Sequence, residues 1–350
     1  MKRICYFFIL VCICACRHVS VSPETELLST ADSDSIDTGD VRQPHNAVYY
    51  WKTVFTLNDE EKLWLADHQI GRLYIRYFDI SFDADGNPVP IATIRFTDPV
   101  PEGLEIVPTV FIDNDVFKRC DMTPYALRTV TRILTMSATN DVFNIKEVQL
   151  DCDWTKTTES EWFAFAEIVR NELQKHEIML SSTIRLHQLN MPTPPVDRGV
   201  LMCYNTGIVR SYATGNSILS AGDVALYAKR LKTYTLPLDI AYPTFSWAVW
   251  FNAIGAFQTL LREVNPDDTN LTRRISNRYT VKNGFYQEGK YLAAGDELRF
   301  EFSDFSEIIK SKRLLEPLLM NDFSVILYHL DYNNLSKYTP DEINQMYATF

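Results

Sequence analysis

The stretch Glu147-Val148-Gln149-Leu150-Asp151-Cys152-Asp153-Trp154-Thr155 decides how the whole chain is read. Side chains alternate across a β-strand, so Val148, Leu150, Cys152 and Trp154 share one face and Gln149, Asp151, Asp153 and Thr155 share the other. One face is made to pack on helices. The other carries two carboxylates, which belong in an interior only with partners or a task. Comparable β-rich runs recur at 48–54, 72–80, 106–112, 178–188, 199–205, 238–245 and 324–330. Between most of them the apolar spacing turns helical, over 59–68, 124–136, 159–175, 221–231 and 305–320, with a last segment from Pro340 onward. Thr123-Pro124 and Thr339-Pro340 put a capping residue and a proline where helices begin. Strands alternating with helices predict an α/β fold, a single closed parallel (β/α)8 TIM barrel over residues 47–350.

Composition agrees with one large domain. The chain has 350 residues, 46% hydrophobic and 23% charged, enough to bury a sizeable core and unlike a disordered segment. Lys and Arg number 34 against 45 Asp and Glu, and the net charge of −11 argues against a phosphate-backbone partner, so no nucleic acid is expected. Neither GxGxxG nor GxxxxGK occurs, which removes the usual phosphate-cradling loops. Two stretches interrupt the strand-helix rhythm. Residues 83–96 read as a turn and an extra strand after the second barrel strand, and 278–302 as a small β-hairpin insertion after the seventh, turning at Asn283-Gly284. Asp83-Ala84-Asp85-Gly86-Asn87 looks like a calcium loop only on the surface: its glycine is misplaced and no acidic residue closes it, so an ordinary turn is expected.

The N-terminus reads as an address. Met1-Lys2-Arg3 precedes an apolar run from Ile4 to Ala15, too short to span a bilayer and flanked as a signal peptide should be, so residues 1–15 are expected to be removed. Ile13-Cys14-Ala15-Cys16 has the form of a bacterial lipobox, in which Cys16 becomes lipid-modified and N-terminal. Residues 16–46 would then be the lipidated cysteine and a flexible tether rich in Ser, Asp and Thr. The expected location is the bacterial cell envelope, with the membrane reached through the Cys16 lipid. Cys120, Cys152 and Cys203 form no CxxC pair, so they read as thiols and not as a zinc site or a disulfide framework.

Barrel sites lie at the C-terminal ends of the strands. At roughly 6.8 Å between Cα positions and an effective dielectric near 20, Asp151 and Asp153 would repel by about 2.4 kcal/mol, so unless a cation intervenes one of them holds a proton near neutral pH. Thr183, Arg185 and His187 alternate onto one polar face of the next strand, and Arg185 is placed to supply that cation. The same groups could form a structural ion-pair network, but a ligand site that uses that network is the favoured reading. A metal held by Asp151, Asp153 and His187 lacks any tight ligand spacing, and no metal or cofactor is expected. Trp51, Tyr77 and Asp79, Tyr204 and Asn205, Tyr242 and Trp247 gather at other strand ends. Aromatic rings among carboxylates and amides are the chemistry of a carbohydrate cleft.

The 148–155 segment resembles the D-x-x-D-x-D-x-E signature of family 18 glycoside hydrolases, the chitinases and endo-N-acetylglucosaminidases, and Met202-Cys203-Tyr204-Asn205 resembles their M-x-Y-D. That resemblance implies that Asp153 orients a substrate acetamido group and that Tyr204 hydrogen-bonds it. Val148, Asn205 and Thr155 depart from the pattern, and Thr155 stands where the family has its catalytic glutamate. The chain from about 48 to 332 is also similar to a set of bacterial lipoproteins with glycosidase-like barrels, through its YYWKT, LYIRYFD, QLDCDWT, STIRLHQ, PPVDRG and PTFSW segments. A threonine cannot release a proton near neutral pH, so hydrolysis would require Asp151, Asp153, Asp79, Asp113 or Asp331 as acid. The resemblance implies a glycan partner for a lipid-anchored barrel, either as a departed glycosidase with Asp151 and Asp153 catalytic, or as a non-catalytic carbohydrate-binding or scaffold lipoprotein. Cys16→Ser is expected to move the chain from the membrane fraction to the soluble fraction; unchanged fractionation would remove the lipid anchor.

Overall fold

The computed structural model describes residues 45–320 and 322–349. The signal segment, Cys16 and the tether lie outside the described residues, apart from the start of the barrel at 45. Eight parallel strands close on themselves: β1 (Asn46–Tyr50), β2 (Ile70–Phe82), β3 (Glu105–Ile112), β4 (Glu147–Asp151), β5 (Met179–Arg185), β6 (Arg198–Met202), β7 (Leu238–Pro243) and β8 (Val325–Tyr328). Each pairs with its sequence neighbours, and β8 returns to β1 through Ala47 opposite Ile326. This is the (β/α)8 barrel that the alternating pattern predicts. Around it run α1 (Asp59–Asp67), α2 (Thr123–Thr139), α3 (Glu159–Gln174), α4 (Ala221–Leu231), α5 (Phe305–Leu315) and α6 (Pro340–Tyr347). Among the described residues, a short antiparallel strand at Pro88–Ile91 stands where a helix would join β2 to β3, and a 3-10 turn at Leu186–Asn190 where one would join β5 to β6. No helix among the described residues is long and apolar enough to cross a membrane.

Strand alternation sorts the core into two shells. Ala47, Tyr49, Tyr74, Val107, Val200, Met202, Ala241 and Ile326 fill the barrel interior, whereas Val48, Leu73, Val148, Leu150, Cys152, Trp154 and Leu201 pack outward with the helices. The polar layer of the interior is built from paired groups: Tyr49 donates to Gln149 Oε1 at 2.7 Å, and Gln149 Nε2 donates to Ser181 Oγ at 3.4 Å. In β2 the register slips between Arg76 and Phe78, so Tyr77 is an extra residue against β3. Such a bulge shifts the alternation by one.

The insertion after β7 is larger than the predicted hairpin. Strands Ser246–Phe251, Phe257–Leu261, Leu271–Ile275, Arg278–Val281 and Glu297–Phe302 form a five-stranded antiparallel sheet with its own core of Ala248, Leu261, Val281, Leu292 and Leu298. The tight hairpin joins Phe285–Gln287 to Lys290–Leu292 and turns at Glu288 and Gly289, not at Asn283-Gly284. Both turn residues have positive φ, 49° and 71°, as a two-residue turn matching strand twist requires. The Asp83 turn is ordinary, as expected: its carboxylate accepts from the backbone N–H groups of Asp85 and Asn87 at 3.0 and 2.8 Å.

On the helix side of β7 lies a buried ion pair. Lys312 and Glu316, both on the segment after the insertion and both fully buried, pair with each other, and Tyr242 donates to Glu316 Oε1 at 3.2 Å. The pair holds α5 against β7. Removing Lys312 takes the countercharge from a buried carboxylate, so Lys312→Met is expected to destabilise the fold by about 3–5 kcal/mol, whereas Lys312→Met combined with Glu316→Leu recovers most of it. Thermal midpoints of the two variants check this; equal losses would show that the pair does not act as a unit.

Candidate functional site

The mouth of the barrel is organised around Asp151, the last residue of β4. Parallel pairing of Gln149 with Ser181 carries Asp151 alongside Thr183 on β5. Thr183 Oγ1 donates to Asp151 Oδ1 at 2.6 Å and Arg185 Nη2 donates to the same oxygen at 2.8 Å. Asp151 is 4% exposed, so the guanidinium is what makes the buried charge tolerable. Burial works against the Arg185 cation, but the Asp151 carboxylate beside it prevails and holds it protonated. Arg185, the cation expected on β5, therefore pairs with Asp151, but it does not stand between two inward carboxylates, because Asp153 lies at the rim.

Four aromatic rings cluster beside this pair at the strand ends, and two of them, Tyr204 and Tyr328, carry phenols close enough to feel the charges of both Asp151 and Arg185. The Tyr328 ring centroid lies 5.2 Å from that of Tyr204, 5.7 Å from Trp51 and 5.9 Å from Phe245, and Tyr204 meets Phe245 edge-on at 5.7 Å. Burial pushes the Tyr49, Tyr204 and Tyr328 phenols well above their ordinary range, so all three are neutral hydrogen-bond donors at physiological pH. Arg76 lies 5.5 Å over the Trp51 ring and is clamped by both carboxylate oxygens of Asp79. Trp247 packs on Phe245 at 5.0 Å and donates its indole N–H to Glu301 at 2.7 Å. Glu301 also takes Ser217 and Arg299, and Arg299 in turn donates to the carbonyls of Ser211 and Val209, at 2.7 and 2.9 Å. The insertion and the loop after β6 are thereby tied to the aromatic wall.

Several sequence-predicted residues sit elsewhere. Tyr77 is the bulge residue of β2 and faces the helices, fully buried, with its hydroxyl 3.0 Å from Ser137 Oγ on α2. Tyr242 also faces outward, because Ala241 takes the inward position of β7. Both tyrosines belong to packing. Strand β4 ends at Asp151, so Asp153 is not in the interior: it is 59% exposed at the rim, where His187 Nε2 lies 3.4 Å away. His187 has left the strand face as well, on the 3-10 turn after β5. Asn205 is exposed with φ 55°. Phe245 and Tyr328 are mouth residues that the sequence reading did not single out; their place just beyond β7 and at the last position of β8 was the available signal.

The carboxylates open to a reacting group are few. Asp79 is held by Arg76, Asp113 accepts from Ser81 Oγ at 3.1 Å and Asp115 N at 3.0 Å, and Asp331 caps the turn at 332–335 through Asn333 N at 3.0 Å. Thr155 is bound to other threonines: Oγ1 lies 3.0 Å from Thr157 Oγ1, and its N–H donates to Thr158 Oγ1 at 3.0 Å. Among the described residues, no three His, Cys, Asp or Glu side chains stand together as a metal site. The three cysteines are unpaired; Cys152 and Cys203 are buried and Cys120 is partly exposed.

No family model and no curated protein matches the sequence. Solved structures do share its fold. The C-terminal domain of a putative chitinase from Desulfitobacterium hafniense DCB-2 matches with a TM-score of 0.52 and 12% identity, over 87% of this chain and 99% of that one. The spore cortex-lytic enzyme SleL of Bacillus cereus matches at 0.53 and 13%, over 89% and 76%. The GH18 chitinase ChiB from the chitin utilization locus of Flavobacterium johnsoniae matches at 0.52 and 13%, over 87% and 94%. The chain therefore has a chitinase-like TIM-barrel fold.

Proposed function

We propose that the barrel mouth binds a glycan and holds it without cutting it, on a chain anchored to the bacterial cell envelope through a lipid at Cys16. The observation that carries this reading is one carboxylate beside an aromatic cluster: Asp151, engaged by Thr183 and Arg185, lies within electrostatic reach of the Tyr204 and Tyr328 phenols, whose rings join those of Trp51 and Phe245. Aromatic faces stack on the apolar faces of sugar rings, and the neutral phenols and the guanidinium offer donors to hydroxyl and acetamido oxygens. The chitinase-like fold and the D-x-D and M-x-Y segments support a sugar as the ligand. Binding fits better than turnover because Asp151 is committed to its partners and the Thr155 hydroxyl is too weak an acid to release its proton near neutral pH.

A second reading, hydrolysis, is favoured by one observation. Asp153 is exposed at the rim with His187 beside it, free to approach a bound sugar. Calorimetric titration with β-1,4-linked N-acetylglucosamine oligomers and with a high-mannose N-glycan separates the two. At least one probe is expected to bind, Trp51→Ala to weaken it about tenfold, equivalent to about 1.4 kcal/mol, and no reducing ends to appear. Reducing ends that Asp153→Asn abolishes would establish the hydrolase instead, and binding of neither probe would reject the glycan.

A further inference from the structure

Phe245 separates two spaces. One is the mouth, where its ring meets Tyr204 and Tyr328. The other is a cleft of about 270 Å³ between the insertion and the chain that follows β8. Phe302, directly opposite Ser246 in the insertion sheet and 54% exposed, gives the cleft a second aromatic surface. Its backbone is firm. Ser303 N and Oγ both donate to the Phe245 carbonyl, at 3.1 and 2.8 Å, and Tyr338 donates to the Ser303 carbonyl at 2.5 Å.

The opposite side of the cleft offers polar groups with unused capacity. Lys337 Nζ donates to Ser246 Oγ and to Asn334 Oδ1, both at 2.9 Å and both neutral acceptors. An ammonium has three N–H groups, so these two bonds leave one over, and the Asp331 carboxylate is close enough to attract the charge. Asn334 spends its oxygen on Lys337 and on Ser246 at 3.1 Å, which leaves its amide N–H groups unused. Glu342 gives Oε2 to Thr339 N at 2.8 Å in the cap of α6, while Oε1 has no such partner. Donors and an acceptor therefore face aromatic surface across a space smaller than the roughly 300–1,000 Å³ of a drug-sized site. A single pyranose ring, with an apolar C–H face and a hydroxyl edge, has that mixed character.

We infer that this cleft is a second sugar subsite, and that a glycan held in the mouth continues across Phe245 into it. The inference rests on the glycan reading of the mouth and extends it: the ligand is a chain of at least two sugar rings, read partly by the insertion and partly by the segment after β8. Mouth and cleft share Phe245, so one ring serves as the divider between adjacent sugars.

The experiment is a length series. N-acetylglucosamine and its β-1,4-linked oligomers of two to five units, with mannose and graded fragments of a high-mannose N-glycan as the second series, are titrated into the wild type and into Phe302→Ala, Lys337→Met and Trp51→Ala. Affinity in one series is expected to rise at least tenfold from the single sugar to a longer chain. Phe302→Ala and Lys337→Met should each remove most of that rise, measured against each variant's own affinity for the single sugar, whereas Trp51→Ala weakens every length. Matching thermal midpoints report that the variants are folded. No gain with length, or a full gain in both cleft variants, overturns the subsite and leaves the mouth reading standing; binding of no probe overturns both.

Discussion

A carboxylate buried at the end of a barrel strand must be paid for by its neighbours, and the pairing of Asp151 with Arg185 is the constraint around which the mouth is built. The pairing follows from parallel register. Once Gln149 lies opposite Ser181, Asp151 and Thr183 are side by side, and Arg185 needs only to fold back over them. Tyr49 and Gln149 complete the layer beneath, so the charge rests on a floor in which each polar group has a partner. The phenols of Tyr204 and Tyr328 then close over it, desolvating the site and keeping themselves neutral.

The wall of the mouth depends on the insertion as much as on the barrel. Trp247 is the second residue of the insertion sheet, yet it packs on Phe245, and its indole N–H is held by Glu301 from the last strand of that sheet. Arg299 joins the same carboxylate and reaches the carbonyls of Val209 and Ser211 in the loop after β6. A fully buried Arg and Glu pair at this junction fixes the loop and the sheet against one another. The aromatic surface is thus set by contacts among three chain segments, which makes its shape a property of the junction and not of any one strand.

How much of this was legible depends on range. Alternation in β4 assigned Gln149 and Asp151 to the interior and Val148 and Leu150 to the helices, because a period of two is a local property of an extended chain. The same rule failed where the strand stopped being regular. Tyr77 and Asp79 share parity in sequence, but the bulge at Tyr77 sends the tyrosine to α2 and keeps Asp79 with Arg76. Asp153 and His187 were assigned to faces of strands that end two residues earlier, at Asp151 and Arg185. The insertion was underestimated because its outer strands, such as Leu271–Ile275, are exposed on most positions and carry little apolar signal.

By itself the sequence determined the fold class, the order of the eight strands and Arg185 as the cation of the polar face, since these follow from local periodicity and from adjacency of consecutive strands in a closed sheet, while the choice of Asp151 over Asp153 as its partner came from where β4 ends. Only the tertiary structure decided which aromatic residues look into the mouth, that Asp79, Asp113 and Asp331 are already engaged, and that Phe245 stands between two spaces. Those outcomes turn on strand ends, a bulge and contacts between segments as distant as Tyr204 and Tyr328. Side-chain direction at such places is set by packing between segments, and no local pattern records it.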